Sequence, residues 1–158
     1  MRTLSLLLVL VLAGCTAETP AASPAASPAA SPAVTRSGCG SPVATGPLPE
    51  WARTGFSGDS SMPHVLGDHG DIVAAIFGYP LAVSRPEGPS NKILWVSKAT
   101  TPPGDLVIAA KLDGTAVTET RKVPGGPGPS IVDLPRAGCW HLTLTWPDHT
   151  DTMDLVYQ

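Results

Sequence analysis

The sequence contains few aromatic residues, few cysteines and no excess of positive charge. Aromatic residues make up 5% of the 158 residues, and charged residues make up 15%. Ten Lys and Arg residues stand against 13 Asp and Glu, which gives a formal net charge of −3. The basic residues are scattered along the chain, whereas nucleic-acid-binding proteins carry clustered positive charge. We therefore expect no nucleic-acid partner.

A long hydrophobic run is also missing. The main apolar stretch spans residues 4–12 near the N-terminus and is interrupted by Ser5. A transmembrane helix needs about 20 apolar residues, so this stretch is too short to cross a bilayer. Arg2 supplies a positive charge just before it, and that order is typical of a secretory signal. We predict a signal peptide over residues 1–14.

The signal ends in Leu12-Ala13-Gly14-Cys15, which resembles the lipobox of bacterial lipoproteins. In that family a dedicated peptidase cuts before the cysteine, after the sulfur has received a diacylglyceryl group. Two acyl chains give stable attachment, whereas one holds a protein only reversibly. The resemblance implies lipidation of Cys15, the lipid bilayer as a partner, and a place on the extracytoplasmic face of the cell membrane. The alternative is an ordinary cleaved signal with a chance cysteine.

Two cysteines remain once Cys15 is assigned to the lipid. Cys39 and Cys139 form an even pair, and an exported protein meets an oxidising environment in which disulfides persist. We predict a disulfide between them, with two free buried thiols as the alternative. A bond closing a loop of about 100 residues stabilises by up to ~4–5 kcal/mol in the chain-entropy model.

A repetitive segment separates the signal from the rest of the chain. Residues 20–33 repeat Pro-Ala-Ala-Ser and include no bulky apolar side chain, so they cannot offset the entropy cost of folding. Their prolines favour extended backbone. We predict a disordered, semi-rigid linker over residues 15–36.

The remaining residues, 37–158, have the length and pattern of one all-β domain. Helical periodicity is nearly absent, and Gly and Pro interrupt short β-rich runs. Trp51 and Phe56 are predicted core anchors in a region, residues 39–66, that has no clear strand pattern. An Asp113-Gly114 pair predicts a type I′ hairpin turn, and residues 147–150 predict a polar turn. The predicted strands are 71–77, 92–97, 106–112, 115–123, 130–134, 140–146, and a return through Met153, Leu155 and Tyr157.

The segment Pro135-Arg136-Ala137-Gly138-Cys139-Trp140-His141-Leu142-Thr143-Leu144 resembles the penultimate strand of bacterial immunoglobulin-like domains. Together with Lys92-Ile93-Leu94-Trp95, Leu112-Asp113-Gly114 and Pro129-Ser130-Ile131, it looks like a family of uncharacterised exported lipoproteins that carry a Gly-Cys-Trp motif. The resemblance covers roughly the last seventy residues and implies an immunoglobulin-like antiparallel β-sandwich without implying an activity. The intersheet disulfide and Trp of antibody domains are not matched, because Trp140 adjoins Cys139.

Histidine and methionine side chains suggest one possible ligand, a metal ion. Met62, His64 and His69 lie close in sequence, and such ligands suit copper. A blue-copper site at Cys139-Trp140-His141 is not expected, because no Met follows at short spacing and the disulfide uses the cysteine. The alternative for the first group is a solvated loop without metal.

Sequence motifs for catalysis are missing. No Gly-x-Ser-x-Gly elbow or Ser-x-x-Lys pair occurs, and the glycine-rich residues 125–129 lack the Lys-Ser/Thr ending of a phosphate loop. Trp95, Trp140 and Trp146 could line a ligand groove or belong to the core. We predict no enzyme and no cofactor, but a binding or structural module of the cell envelope whose partner is an envelope protein or a small ligand. The alternative is an envelope copper carrier.

Overall fold

The computed structural model describes residues 40–84, 87 and 90–158. These residues form eight β-strands and one short 3-10 helix over Glu50–Ala52. None of the helical structure in this part of the chain is long and apolar enough to cross a membrane. The predicted signal peptide, Cys15, the linker and Cys39 lie outside the described residues. The strands are β1 (His64–Leu66), β2 (Ile72–Ile76), β3 (Lys92–Ser97), β4 (Leu106–Leu112), β5 (Thr118–Val123), β6 (Pro129–Ile131), β7 (Gly138–Trp146) and β8 (His149–Tyr157).

The strands form two antiparallel sheets of four. The first sheet has the order β1-β2-β3-β6, and the second has the order β5-β4-β7-β8. Inward-facing residues from both sheets, among them Trp95 of β3 and Trp140 of β7, belong to one buried cluster. The prediction of an all-β domain is confirmed, and the two sheets enclose its core in the manner of a sandwich.

Alternating polar and apolar residues explain why one face of the second sheet is buried and the other is exposed. In β7 the even-numbered residues from Trp140 to Trp146 are buried, while His141, Thr143 and Thr145 are exposed. The edge strand β5 reads Thr-Glu-Thr-Arg-Lys-Val, and every residue before Val123 is exposed or half-buried. Charged side chains on an edge strand discourage pairing with another sheet.

Most predicted strands are confirmed with small differences at their ends. The predictions for β3 and β4 match the observed bounds, and those for β2, β5, β6 and β7 differ by a few residues. Strand β1 was not predicted, because three residues are too few to show an alternating pattern. It lies in the region without pattern and pairs with β2. The predicted anchors Trp51 and Phe56 are partly buried and pack on a second, smaller cluster around Val73.

The predicted type I′ turn at Asp113-Gly114 is wrong. A type I′ turn needs positive φ at both positions, and Gly114 has φ 65° but Asp113 does not have positive φ. The connection is instead a wider loop, in which the Leu112 amide donates to the Val117 carbonyl at 3.0 Å and Thr115 Oγ1 donates to the Leu112 carbonyl at 3.0 Å.

The turn between β7 and β8 is shorter than the predicted 147–150. Trp146 pairs directly with His149, so only Pro147 and Asp148 form the loop. Proline fixes its own φ near −65°, and Asp148 has φ 63°, which closes the turn in two residues. This length fixes the register of β8 and therefore decides which of its side chains face β7.

Candidate functional site

Three strands of the second sheet bring a histidine between two carboxylates. His141 faces outward from β7 and is paired with Asp154 of β8 and with Lys111 of β4. Its Nδ1 lies 2.6 Å from Asp154 Oδ1, and its Nε2 lies 3.2 Å from Asp113 Oδ1, in the loop after β4. The side chain of His141 is 45% exposed, whereas that of Asp154 is 7% exposed. An imidazole that donates from both nitrogens is protonated, so this arrangement favours the imidazolium.

The electrostatic environment agrees with that geometry. The hydrogen bond to Asp154 raises the pKa of His141 above its ordinary value of 6.5, partial burial opposes the rise, and Asp113 adds to it. Lys111, opposite His141 in the register, is the cation that faces it from β4. The protonated ring therefore links β7 to β8 and to the β4–β5 loop.

We predict that this link stabilises the protein more at low pH than at high pH. Because the folded-state pKa of His141 is raised, its contribution is fully present below about pH 6.5 and is lost as the pH rises through the folded-state pKa. The difference in melting temperature between the wild-type protein and His141→Gln should therefore be larger at pH 6 than at pH 9, measured with a chelator present. His149→Gln is the control. An equal difference at both pH values would contradict the prediction.

Cys139 lies beside this histidine. The ligand atoms of Cys139, His141 and Asp154 all lie within 4.8 Å of one another. Among the described residues, these three side chains form the group of His, Cys, Asp or Glu that lies close enough together to hold one metal ion. Cys139 and His141 share the outer face of β7 because they stand two residues apart on one strand. Cys139 is nevertheless buried, at 6% exposed.

The residues predicted to hold copper lie in different surroundings. His64 is buried in β1, and its Nδ1 donates to the Met62 carbonyl at 2.9 Å. His69 lies in the turn between β1 and β2 with its side chain 64% exposed, and its Nδ1 donates to the Thr150 carbonyl at 3.3 Å. The metal site at Met62, His64 and His69 stays a prediction.

The β1–β2 turn is held by a buried carboxylate instead. Asp151 is fully buried at an inward-facing position of β8, opposite Leu144. Its oxygens accept hydrogen bonds from the backbone N–H groups of His69 at 2.9 Å, Asp71 at 3.0 Å and Thr152 at 2.7 Å. A buried charge is tolerated when it is hydrogen-bonded in this way. Asp151 thus connects the last strand of the second sheet to the first hairpin of the other.

The close approach of the turn to Asp151 requires a glycine. A Cβ atom at Gly67 would overlap the Asp151 carboxylate, so no larger residue fits without a shift. The turn is fixed further by the Asp68 amide, which donates to the Thr152 carbonyl at 2.8 Å, and by Thr152 Oγ1, which donates to Asp68 Oδ2 at 2.6 Å. These contacts with Asp151 and Thr152, which we call the clamp, therefore fix the loop that carries His69 against β8.

The tryptophans belong to the core. Trp95, Trp140 and Trp146 are at most 2% exposed, so the alternative in which they form an open aromatic groove is wrong for their rings. Their indole N–H groups are satisfied internally, by Ser130 Oγ, the Arg136 carbonyl and Ser97 Oγ respectively. The reason is their inward position on β3 and β7, which the alternating pattern of β7 indicates.

A shallow groove lies next to Trp95. It has a volume of about 470 Å³ and runs between the β3–β4 and β5–β6 connections. Pro102, Pro103 and Pro127 contribute to its walls, together with Ser97 and Thr101. The prolines make the walls stiff and partly apolar, because they fix φ and carry no amide donor.

Sequence reasoning missed the two carboxylates that define these sites, Asp154 and Asp151. The signal that could have found them is the two-residue turn at Pro147-Asp148. With Trp146 opposite His149, counting back along both strands places Asp154 opposite His141 and Asp151 opposite Leu144.

Comparison with known proteins assigns no relatives. The chain matches no protein-family model, no curated protein and no solved structure. Any function must therefore be argued from its own residues.

Proposed function

We propose that the protein is a lipid-anchored lipoprotein on the extracytoplasmic face of the cell membrane, and that its β-domain is a non-enzymatic binding or structural module of the cell envelope. The observation that carries the proposal is the order of features at the N-terminus: Arg2, the apolar residues 4–12, the small residues Ala13 and Gly14, and then Cys15. That order gives export, cleavage and lipid attachment in sequence.

The arrangement of the polar side chains supports a non-catalytic role. His141, which is the histidine held most closely by carboxylates, contacts Asp154 and Asp113 on either side. A general base needs a free ring nitrogen directed at a substrate or a nucleophile. Asp151 is likewise occupied by three backbone N–H groups. The groove beside Trp95 is the surface that we propose for ligand contact, because it is concave and combines proline walls with the polar side chains of Ser97 and Thr101.

We infer an immunoglobulin-like topology for the β-domain. In that fold, strand B pairs with E in one sheet, while C, F and G share the other. Here β3 pairs with β6 in one sheet, while β4, β7 and β8 are neighbours in the other. Taking β3 as B, β4 as C, β6 as E, β7 as F and β8 as G reproduces these pairings, which supports the inference.

The proposed place outside the cytosol also accounts for a Cys39–Cys139 disulfide. The described chain starts at Gly40, close to the residue that faces Cys139 across the β7–β8 pair. A Cβ at Gly40 would lie 3.1 Å from Val156 Cγ2, and Val156 is opposite Cys139 in the register. Ser41 Oγ accepts from the Asp154 amide at 2.9 Å. The residues just after Cys39 therefore lie along β8, next to the strand that carries Cys139.

The anchor can be tested by replacing Cys15 with alanine. We expect the wild-type protein to sediment with membranes and to be released by detergent but not by high salt, because two acyl chains rather than charges hold it. The Cys15→Ala variant should instead be found in the soluble fraction or remain unprocessed. Thr16→Ala is the matched control and should stay with the membrane. A Cys15→Ala protein that is processed and still membrane-bound through detergent-sensitive attachment would contradict the proposal.

A further inference from the structure

We propose that reduction of the Cys39–Cys139 disulfide turns the outer face of β7 and β8 into a zinc site formed by Cys139, His141 and Asp154. The inference rests on the disulfide of the proposed function. While the disulfide is intact, the Cys139 sulfur is covalently occupied and the other two side chains hydrogen-bond to each other. Once the disulfide is reduced, the same three residues offer sulfur, nitrogen and oxygen ligands.

The geometry of the three ligand atoms carries the proposal. They already lie within 4.8 Å of one another, and two of them, His141 Nδ1 and Asp154 Oδ1, are 2.6 Å apart. Ligand atoms of a tetrahedral zinc ion stand about 3.4 Å apart, given bonds of about 2.0–2.3 Å. Side-chain rotations that move these atoms by on the order of 1 Å would therefore form the site. The backbone positions are fixed by paired strands.

Asp113 lies where it would orient the metal-binding histidine without binding the metal itself. A metal-bound imidazole usually donates its other N–H to a carboxylate, which fixes the orientation of the ring. Here Nδ1 of His141 faces Asp154, while Nε2 lies 3.2 Å from Asp113 Oδ1. Nδ1 would bind the zinc and Nε2 would remain hydrogen-bonded to Asp113.

The mixture of ligands selects the kind of metal. Zinc accepts thiolate, imidazole and carboxylate ligands together, and three protein ligands leave its fourth position to water. Calcium and magnesium prefer all-oxygen sites. Copper(I) prefers sulfur ligands from several residues. A zinc ion is therefore the cation that this group suits best.

The chemical step balances with an external dithiol reductant. The disulfide accepts two electrons and two protons and becomes two thiols, while the dithiol loses the same electrons and protons and becomes a disulfide. The Cys139 thiol then releases its proton to solvent when zinc binds. Zinc itself is neither oxidised nor reduced.

The test uses Co²⁺ as a spectroscopic probe for zinc on the protein purified from an exporting host. Unreduced wild-type protein should show no thiolate-to-cobalt absorption band, and treatment with a phosphine reductant should produce the band with one ion per chain. A Cys39→Ser variant should bind without any reductant, because its Cys139 is never oxidised to a disulfide with Cys39. Zinc should displace the cobalt and abolish the band.

Paired variants locate the site. Adding His141→Gln to Cys39→Ser should weaken binding by at least about tenfold, whereas adding His149→Gln, at the far end of β8, should leave it unchanged. If Cys39→Ser does not fold, the histidine variants are compared in reduced protein with an otherwise native sequence. Absence of a thiolate band in folded, reduced protein would overturn the proposal, and so would a band unaffected by His141→Gln.

A thiol count separates this proposal from the disulfide on which it rests. Unreduced wild-type protein, unfolded in denaturant, should react with no equivalent of a thiol reagent at Cys39 or Cys139. If both react, the disulfide is wrong and so is control of the site by reduction. The comparison of Cys39→Ser with and without His141→Gln still shows whether the three ligands bind metal.

Discussion

Replacing Asp151 with alanine is expected to lower the free energy of unfolding by about 3–5 kcal/mol. The substitution removes the acceptor of three backbone hydrogen bonds, two of which hold the β1–β2 turn. The N–H groups of His69 and Asp71 would lose that partner where the turn packs on β8, and donors left unsatisfied in a partly buried position are costly. Urea unfolding followed by Trp fluorescence measures the change, because Trp95, Trp140 and Trp146 are buried.

Two further variants show whether the loss comes from the carboxylate. Asp151→Asn keeps one acceptor oxygen in nearly the same volume, so its destabilisation should be smaller than that of Asp151→Ala. Asp59→Ala is the matched control: Asp59 accepts from the Ser61 amide in an exposed loop, and its loss should change stability by less than about 0.5 kcal/mol. If Asp151→Ala were as stable as the Asp59→Ala variant, the clamp described here would be wrong.

Removing the predicted disulfide should produce the second large loss. The Cys39→Ser/Cys139→Ser double variant is expected to be less stable by up to about 4–5 kcal/mol, because the unfolded chain is no longer cross-linked over a loop of about 100 residues. Urea unfolding with and without a phosphine reductant measures this. Reduction should lower the stability of the wild-type protein towards that of the double variant and leave the double variant unchanged. A wild-type protein that is insensitive to reduction, with both thiols reactive, would contradict the pairing.

The strands could be predicted from sequence where polar and apolar residues alternate, or where Gly and Pro mark the ends of an apolar run. Strands β3 and β4 are predicted with their observed bounds, and the residues of the predicted strand 140–146 alternate between buried and exposed. Strands β4 and β7 have apolar side chains at every second position, and β3 is a compact apolar run. Removal of these apolar side chains from water therefore determines which face of each strand points to the core. Strand β1 has three residues, and so short a segment has no period to detect.

The candidate site could be predicted only in part, since it depends on pairing between strands. His141 lies in the predicted strand 140–146 and faces outward from β7, but the identity of its partner Asp154 depends on the exact length of the β7–β8 turn. Residues 147–150 suggested a four-residue turn, whereas the observed loop has two residues because Asp148 adopts positive φ. A change of two residues in loop length moves each residue of β8 opposite a different residue of β7.

Asp151 shows a second limit of sequence reasoning. Its position on β8 has the same parity as Met153, Leu155 and Tyr157, which all face the core. A charged residue at such a position normally argues against burial. It is buried here because backbone N–H groups of a turn far away in sequence surround it, and hydrophobic pattern contains no information about such partners.

The measurement that tests the proposed function most directly is mass spectrometry of the processed N-terminus. The account predicts a mature chain that begins at Cys15 and carries on that cysteine the added mass of a diacylglyceryl group. A mature chain that begins elsewhere, or one that begins at Cys15 with an unmodified thiol, would contradict the lipid anchor and the envelope role proposed from it.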